Sequence, residues 1–442
     1  MARLLNLDAA RGFALLGIFC VNGPFFAMPL GMIVNPTPPP GIAGLDLGAW
    51  WFVQLFCTSK FFPLFSWMFG FGLMLLLAKR SEGGRVPWGV GLRRLFFLMA
   101  VGLCHGVFIW SGDILLIYSF MGLILLAACR VGPRTLAIIG ACLLGVSALT
   151  GALLGAVGFG ASSSKEVATA PEYQLLPGVS PFDQFIKGFE PVEVPVDSAV
   201  PDGQKKTISP MEQGPESPLW LAAETAAFRD GPFSEATKFR AVNVGIFLII
   251  TALNIGWLIL GMFMLGAAAA KAGWLTERYA SQRRRYAFVI LPITLIAGVA
   301  LNVLNATMGS STTLILLSSV VPLLSAASAV GYLCLIEQVI RVVPAIGTAL
   351  ASTGRMAFTN YLTQSVVMTG ITYHWGLAKF GTLGHAQLLG LVVVIFALQV
   401  VFSTLWLKLF SMGPLEYVWR SVTYLGNPVK GTERAQIAES QS

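Results

Sequence analysis

Ten runs of about twenty apolar residues set the terms on which this chain can fold. Each is long enough to cross a bilayer as one α-helix. They fall near 9–29, 50–79, 91–110, 113–129, 134–158, 241–270, 285–305, 312–340, 355–376 and 386–409. Only 11% of the 442 residues are charged and 55% are hydrophobic, where a soluble globule carries about a quarter charged residues. The short alternating segments of a membrane β-barrel do not occur. The sequence therefore predicts an all-α polytopic membrane protein of about ten transmembrane helices in a lipid bilayer. The second run is long enough to begin as an interfacial helix, with Trp50 and Trp51 at headgroup level and a break at Pro63.

The charges orient these runs. The connections between runs 1 and 2, 3 and 4, and 7 and 8 hold no Lys or Arg. The alternate connections hold Lys79, Arg80, Arg85, Arg93 and Arg94, then Arg130 and Arg134, then Lys271, Arg278 and Arg283 to Arg285, then Arg341. By the positive-inside rule both termini are expected in the cytoplasm. The net charge of +8 is thus a topology signal and not a nucleic-acid footprint. The six cysteines lie in or beside apolar runs without a CxxC, which reads as small buried hydrophobes and not as a metal site or disulfide framework.

Residues 159–240 break the pattern. They are proline-rich and carry twelve Asp or Glu against seven Lys or Arg. Alternation makes them a long extracytoplasmic insert, irregular in its first part. "PLWLAAETAAFRDGPFSEATKFR" is expected to form one or two short interfacial helices, with Ser234 capping the span that follows. The expected organisation is a five-helix membrane half (1–158), the insert (159–240), a second five-helix half (241–410) and a cytoplasmic tail (411–442). In that tail Glu416 and Arg420 are spaced for an i, i+4 pair.

Ionisable residues inside spans are costly and mark functional candidates. At 100° per residue, Asp8, Arg11 and Asn22 fall within about 60° of one another on the first helix, and Asn22 lies ~16 Å along the axis from Arg11. The plainer reading is a snorkelling Arg11 paired with Asp8. "GLCHGVFIWSGDILLIYS" places His105 near the outer end of one helix and Asp113 at the start of the next. Asp113 reads as an N-cap, or as the orienting partner of a general-base His105, with Lys60 completing the cluster. On the ninth run, Asn360 and Gln364 share a polar stripe with Arg355 at its margin. That stripe reads as interhelical hydrogen bonding or as a cavity wall. No metal site, Walker loop, GxSxG elbow, Rossmann fingerprint or HExxH occurs.

Four segments, "LDAARGFALLGIFCVN", "KFFPLFSWMFGFGLML", "RRLFFLMAVGLCHGVFIWSGDILLIYS" and "GRMAFTNYLTQS … GPLEYVWRSVTY", resemble in order and spacing the YeiB-like family of bacterial inner-membrane proteins. The resemblance runs from residue 5 to residue 425 and is weakest in the insert. It implies a place in the bacterial inner membrane and a relation to the transmembrane acyltransferase superfamily, which includes heparan-α-glucosaminide N-acetyltransferase and glycan O-acyltransferases. There the first span carries Arg, ten residues, then His or Asn, a spacing matched by Arg11 and Asn22. Such residues are held to line a pore that receives acyl-CoA from the cytoplasm. The chain departs from the O-acyltransferase pattern in having Asn22 in place of histidine, and residues 23–49 supply none.

These readings converge on acyl transfer, with acetyl-CoA or another acyl-CoA as co-substrate, no bound cofactor, and an envelope glycan or lipid as acceptor. His105 and Asp113 are the catalytic candidates. Arg11, Asn22, Lys60, Arg355, Asn360 and Gln364 are the substrate-binding ones. The same polar stripes also fit a transporter or flippase of a small polar or lipid solute, or a non-catalytic membrane partner. An oligomer is compatible with either.

Overall fold

The computed structural model describes residues 2–33, 38–39, 41–79, 87–156, 175–187, 192–194, 206–208, 217–308 and 319–425. Among these the chain is helical apart from one antiparallel pair in the insert, β1 (Val192–Val194) with β2 (Lys206–Ile208). Eight helical stretches are long and apolar enough to span: Asn6–Ala27, Gly44–Ala78, Trp88–Phe108, Pro133–Leu154, Phe233–Lys271, Glu277–Leu304, Val321–Val342 and His385–Leu409. The shorter apolar helix α6 (Leu115–Ala127) and the more polar α16 (Ala357–Thr372) fall where two further runs were expected, so eight of the ten expected spans are long and apolar enough among the described residues. Leu149, Ile296 and Leu398 stand more than 60% exposed on helix faces, a lipid-facing surface that water would penalise. The chain is a multi-pass membrane protein.

Helix α1 (Ala2–Ala27) lies at the centre, packed on α4 (Phe61–Lys79), α14 (Val321–Val342), α15 (Pro344–Arg355), α16 and α17 (His385–Leu409). Lipid gives helices little hydrophobic reason to associate, so close packing must hold them. Glycine makes that approach possible at the tightest crossings. A Cβ on Gly12 would lie 2.1 Å from the Leu350 carbonyl oxygen, and one on Gly354 1.8 Å from that of Asp8. Helix α11 (Gly256–Lys271), followed in the chain by α12 (Ala280–Arg285) and α13 (Leu291–Met308), meets α4 in the same way, through Gly70 against Phe263 and Gly266 against Trp67. Gly72 lies under the Arg11 guanidinium.

The second span differs from expectation. Its interfacial part is α3 (Gly44–Phe52), continued by a π-helical segment, Val53–Cys57. The break falls at Thr58–Lys60, where Ser59 takes φ 61°, and not at Pro63. Pro63 sits in the first turn of α4, where a missing N–H costs nothing. The preceding π-helical turn has already released the backbone bonds that a regular helix would carry through.

Helix α5 (Trp88–Phe108) is joined to α6 by a tight turn, and α7 (Pro133–Ala156) follows. In the insert, the described residues form α8 (Pro181–Lys187), the strand pair, and α9 (Pro218–Arg229). The rest of its proline-rich part lies outside the described residues. Ser217 caps α9 by accepting the Trp220 N–H, with Pro218 in the first turn. Helix α10 (Phe233–Ile250) begins earlier than expected and has Pro232 at its N-cap, so Ser234 is inside the helix and caps nothing. Aromatic packing of Phe185, Trp220, Phe228 and Phe239 joins α8, α9 and α10, and Tyr373 and Phe380 extend it to the loop after α16. The His374 N–H donates to the Phe228 carbonyl at 2.8 Å and the Gly381 N–H to that of Ala27 at 2.7 Å.

Glu224 on α9 ties this roof to the membrane helices. It is 2% exposed. One oxygen accepts the Leu30 N–H at 3.0 Å, in α2 (Leu30–Ile33), and the other the Asn243 amide at 2.9 Å, in α10. Burial pushes its carboxyl up to about 7, against the hydrogen bonds that pull it down. At the opposite end, the C-terminal helix α18 (Pro414–Tyr424) turns Glu416 inward. Its carboxylate accepts the Phe358 N–H at 2.8 Å and the Thr359 N–H at 3.1 Å, and so caps α16. The expected pairing with Arg420 is not made. An uncapped helix start in a buried position costs more than a solvent-exposed i, i+4 pair supplies. Of the six cysteines, Cys104 and Cys142 are exposed; all six are free thiols.

Two outcomes follow from these anchors. Glu416→Ala leaves two N–H groups of α16 without an acceptor and is expected to lower stability by about 2–4 kcal/mol, seen as a lower Tm in detergent. A Tm within experimental scatter of wild type would show that the cap contributes nothing. Because the folded protein binds the Glu224 proton more tightly than the unfolded chain, stability falls as pH rises from about 4.5 to about 7 and levels off above that. Glu224→Gln is expected to flatten that part of the Tm–pH profile. Parallel profiles for the two proteins would refute the assignment.

Candidate functional site

The turn between α5 and α6 delivers two side chains to one point. His105 is on the last turn of α5, and the chain reverses within Ile109–Asp113. His105 Nδ1 and Asp113 Oδ2 are 2.8 Å apart, both buried. Asp113 Oδ1 accepts the Leu116 N–H at 3.0 Å, so the carboxylate caps the first turn of α6 while it binds the imidazole. Both sequence readings of Asp113 therefore describe the same side chain. Tyr361 from α16 completes the group: its hydroxyl donates to Asp113 Oδ2 at a long 3.4 Å and accepts the Ile114 N–H at 3.3 Å. His105 Nε2 is buried with no hydrogen-bond partner among the described residues.

Next to this group is a partly open cavity of about 290 Å³ on the insert side. Its walls are mostly apolar. The polar groups on it include Asn22, Gln54, Asp113, Tyr361 and His385. His105 is not on the wall; it stands behind Asp113. The π-helical segments Val53–Cys57 and Thr251–Ile255 both contribute lining residues. Such bulges recur at functional sites because they free backbone groups and re-aim side chains. The amides of Asn22 and Gln54 have no hydrogen-bond partner among the described residues, so they face the cavity with donor and acceptor to spare.

The other predicted site residues lie elsewhere. Arg11 pairs with Asp8 at 2.6 Å, and the cavity stops at Ile18 on α1, about two helical turns short of it. Lys60 is buried and donates to the Thr58 carbonyl at 3.0 Å; it neither lines the cavity nor bonds to the His–Asp pair. Arg355 donates to the Ser411 carbonyl at 2.9 Å. Asn360 gives its amide hydrogens to the Thr353 carbonyl and Ser403 Oγ, and Gln364 bonds to Gln399. Gln399 returns to the Asn360 carbonyl and Thr363. This network joins α16 to α17, and its hydrogen-bonding capacity is largely spent there. Of the eight candidates, then, the structure brings Asn22, His105 and Asp113 to one place.

Tyr361, Gln54 and His385 are the residues sequence reasoning missed as site members. Tyr361 was legible in principle. It lies about 100° around the helix from Asn360, so α16 has one polar edge toward α17 and a second toward α5 and α6. Gln54 had no such signal, since the π-helical turn shifts it off any regular period. His385 is the first residue of α17, with a buried Nε2 that has no hydrogen-bond partner among the described residues.

Comparison with known proteins places the chain. Residues 269–426 match a family described as a protein of unknown function (DUF418). The chain is 30% identical over 434 residues to the uncharacterized protein YeiB of Escherichia coli (strain K12), which covers 96% of this chain and 97% of that protein. It is 28% identical over 432 residues to the uncharacterized protein YxaH of Bacillus subtilis (strain 168), covering 96% and 94%. A 39.9 kDa protein from the amylase 3′ region of Bacillus acidopullulyticus is 26% identical over 425 residues, covering 96% and 94%. Matched almost end to end, the chain belongs to the YeiB-like family.

Proposed function

We propose that this protein is an inner-membrane acyltransferase that moves an acyl group from a cytoplasmic acyl-CoA to a hydroxyl or amine on an envelope glycan or lipid. The observation that carries this reading is the buried His105–Asp113 pair, backed by Tyr361, at the wall of a cavity with two free amides. A hydrogen-bonded imidazole and carboxylate form a proton-accepting unit. In the transfer, the acceptor oxygen or nitrogen attacks the thioester carbonyl, the C–S bond breaks, and the acceptor's proton passes to the pair. The CoA thiolate then takes up a proton from solvent. Asp113 faces the cavity and receives the proton; His105 holds it in place and shares the charge. Asn22 and Gln54 are placed to donate to the oxyanion that develops on the carbonyl.

The orientation belongs to the proposal too. Arg93, Arg130, Lys271, Arg283, Arg341 and Arg355 share the end of the bundle opposite the insert, and the positive-inside rule assigns that end to the cytoplasm. Arg11 stands there as a partner for the donor's phosphates. Since the cavity ends at Ile18, about two helical turns from Arg11, the donor reaches the site only if the helices packed between those two levels part.

Purified protein supplied with acetyl-CoA or longer acyl-CoA is expected to release free CoA thiol when an acceptor is present. His105→Ala and Asp113→Asn are each expected to lower that rate at least about 100-fold. Unchanged turnover in His105→Ala would remove the pair from the reaction. Gradient-driven solute flux in liposomes that consumes no acyl-CoA would favour the transport reading instead.

A further inference from the structure

The charge and surface of the cavity narrow what it can hold. Among the described residues, no lysine, arginine or glutamate lines it. The charged side chain on its wall is Asp113. His105 Nδ1 faces Asp113 Oδ2 from behind, so the carboxylate and not the imidazole is presented to the cavity. Three donors reach that carboxylate: the His105 ring, the Leu116 N–H and, at longer range, the Tyr361 hydroxyl. An ionised carboxylate has about four lone-pair sites, so about one is left for a ligand that can donate. A phosphate or sulfate would meet a carboxylate with no lysine or arginine beside it on the wall, and an ester carbonyl has no proton to give.

The rest of the wall points the same way. Phe25, Trp50, Phe62, Trp110, Phe247 and Tyr361 all line the cavity, and aromatic faces attract an ammonium, most strongly when it is desolvated. The volume, about 290 Å³, is at the low end of the range of about 300–1,000 Å³ for ligand pockets. It suits one slender chain and not a two-tailed lipid. Met32, on the rim, is 44% exposed, which leaves a side open.

We propose that this cavity binds a single-chain amphiphile with a protonated amine head, its ammonium against Asp113 and its chain along the apolar wall. That the amine serves as the acyl acceptor rests on the acyl-transfer reading; the binding does not. In that use the amine nitrogen loses its ammonium proton to the Asp113–His105 pair before it attacks the thioester. The N–C bond then forms as the C–S bond breaks, the second N–H proton passes to the departing CoA thiolate, and the pair returns its proton to solvent.

The test uses the full chain in nanodiscs of zwitterionic lipid, without any acyl donor. Binding of dodecylamine, dodecanol and dodecyl phosphate is read as a concentration-dependent rise in Tm. Dodecylammonium is expected to bind at least about tenfold more tightly than dodecyl phosphate. Asp113→Asn is expected to abolish that preference. Gln54→Lys, which puts a cation on the wall, is expected to reverse it, and decides the matter alone if Asp113→Asn does not fold. Equal or tighter binding of the phosphate by wild type, or an amine preference that survives the Gln54 variant, would overturn the proposal. Amine binding without turnover rejects only the transfer reading. Turnover without amine preference rejects only this one.

Discussion

The crossing of α1 with α15, backbone against backbone at Gly12 and Gly354, is the contact on which the rest of the architecture depends. In lipid, burying leucines between helices gains little, because the surrounding chains are just as apolar. What remains is contact density, and that needs small residues where two backbones meet. The crossing fixes α1 at the bundle centre with α4 on one side and α16 and α17 on the other. Asn22 then reaches the cavity because it lies about three turns further along the same rigid helix. The α4–α11 crossing at Gly70 and Gly266 does the same for the wall opposite, since α11 continues from the π-helical Thr251–Ile255.

Polar side chains inside such a bundle separate by how fully their hydrogen bonds are used. Asn360, Gln364, Gln399 and Ser403 bond to one another and to backbone, and this is how polar residues act between membrane helices. Arg283 and Glu337 form a buried bidentate pair at 2.7 and 3.1 Å, with Arg283 also satisfied by the Trp274 and Thr276 carbonyls. These groups have settled their desolvation cost within the fold. Asn22, Gln54 and the spare lone pair of Asp113 have not, and they meet at the cavity. Unused capacity, more than polarity itself, marks the candidate site.

That distinction explains what could be read from the sequence. Helix spans were legible, because length and hydropathy follow from bilayer thickness. The His105–Asp113 contact was legible as well: eight residues around a tight turn leave two helix ends no room to separate. The role of Asn360 and Gln364 was not, because a polar stripe on one helix says nothing about whether a neighbour satisfies it. Gln399, one run later in the chain, decides that. Lys60 was misplaced for a related reason. The π-helical turn and the left-handed Ser59 re-aim the residues after Cys57, and local periodicity cannot foresee that. Glu416 reads as a surface residue until α18 is folded back onto the start of α16.

The insert roofs the site without lining it, through the small space beside Glu224. Trp110 gives its indole N–H to the Phe25 carbonyl at 3.1 Å and lines the cavity from above the His–Asp pair. Phe25, Ile33, Trp110 and Phe247 also wall the small space next to Glu224. The same few residues thus separate two buried carboxylates, Asp113 below and Glu224 above. Glu224 accepts from Leu30, three residues past the end of α1, and from Asn243 in α10. Its protonation weakens both bonds, since a neutral carboxyl accepts less strongly than a charged one, but removes the larger cost of a buried charge. With a carboxyl held near 7, the tie between roof and bundle changes strength within the ordinary pH range. The wall residues that shape the cavity are the ones packed directly beneath that tie.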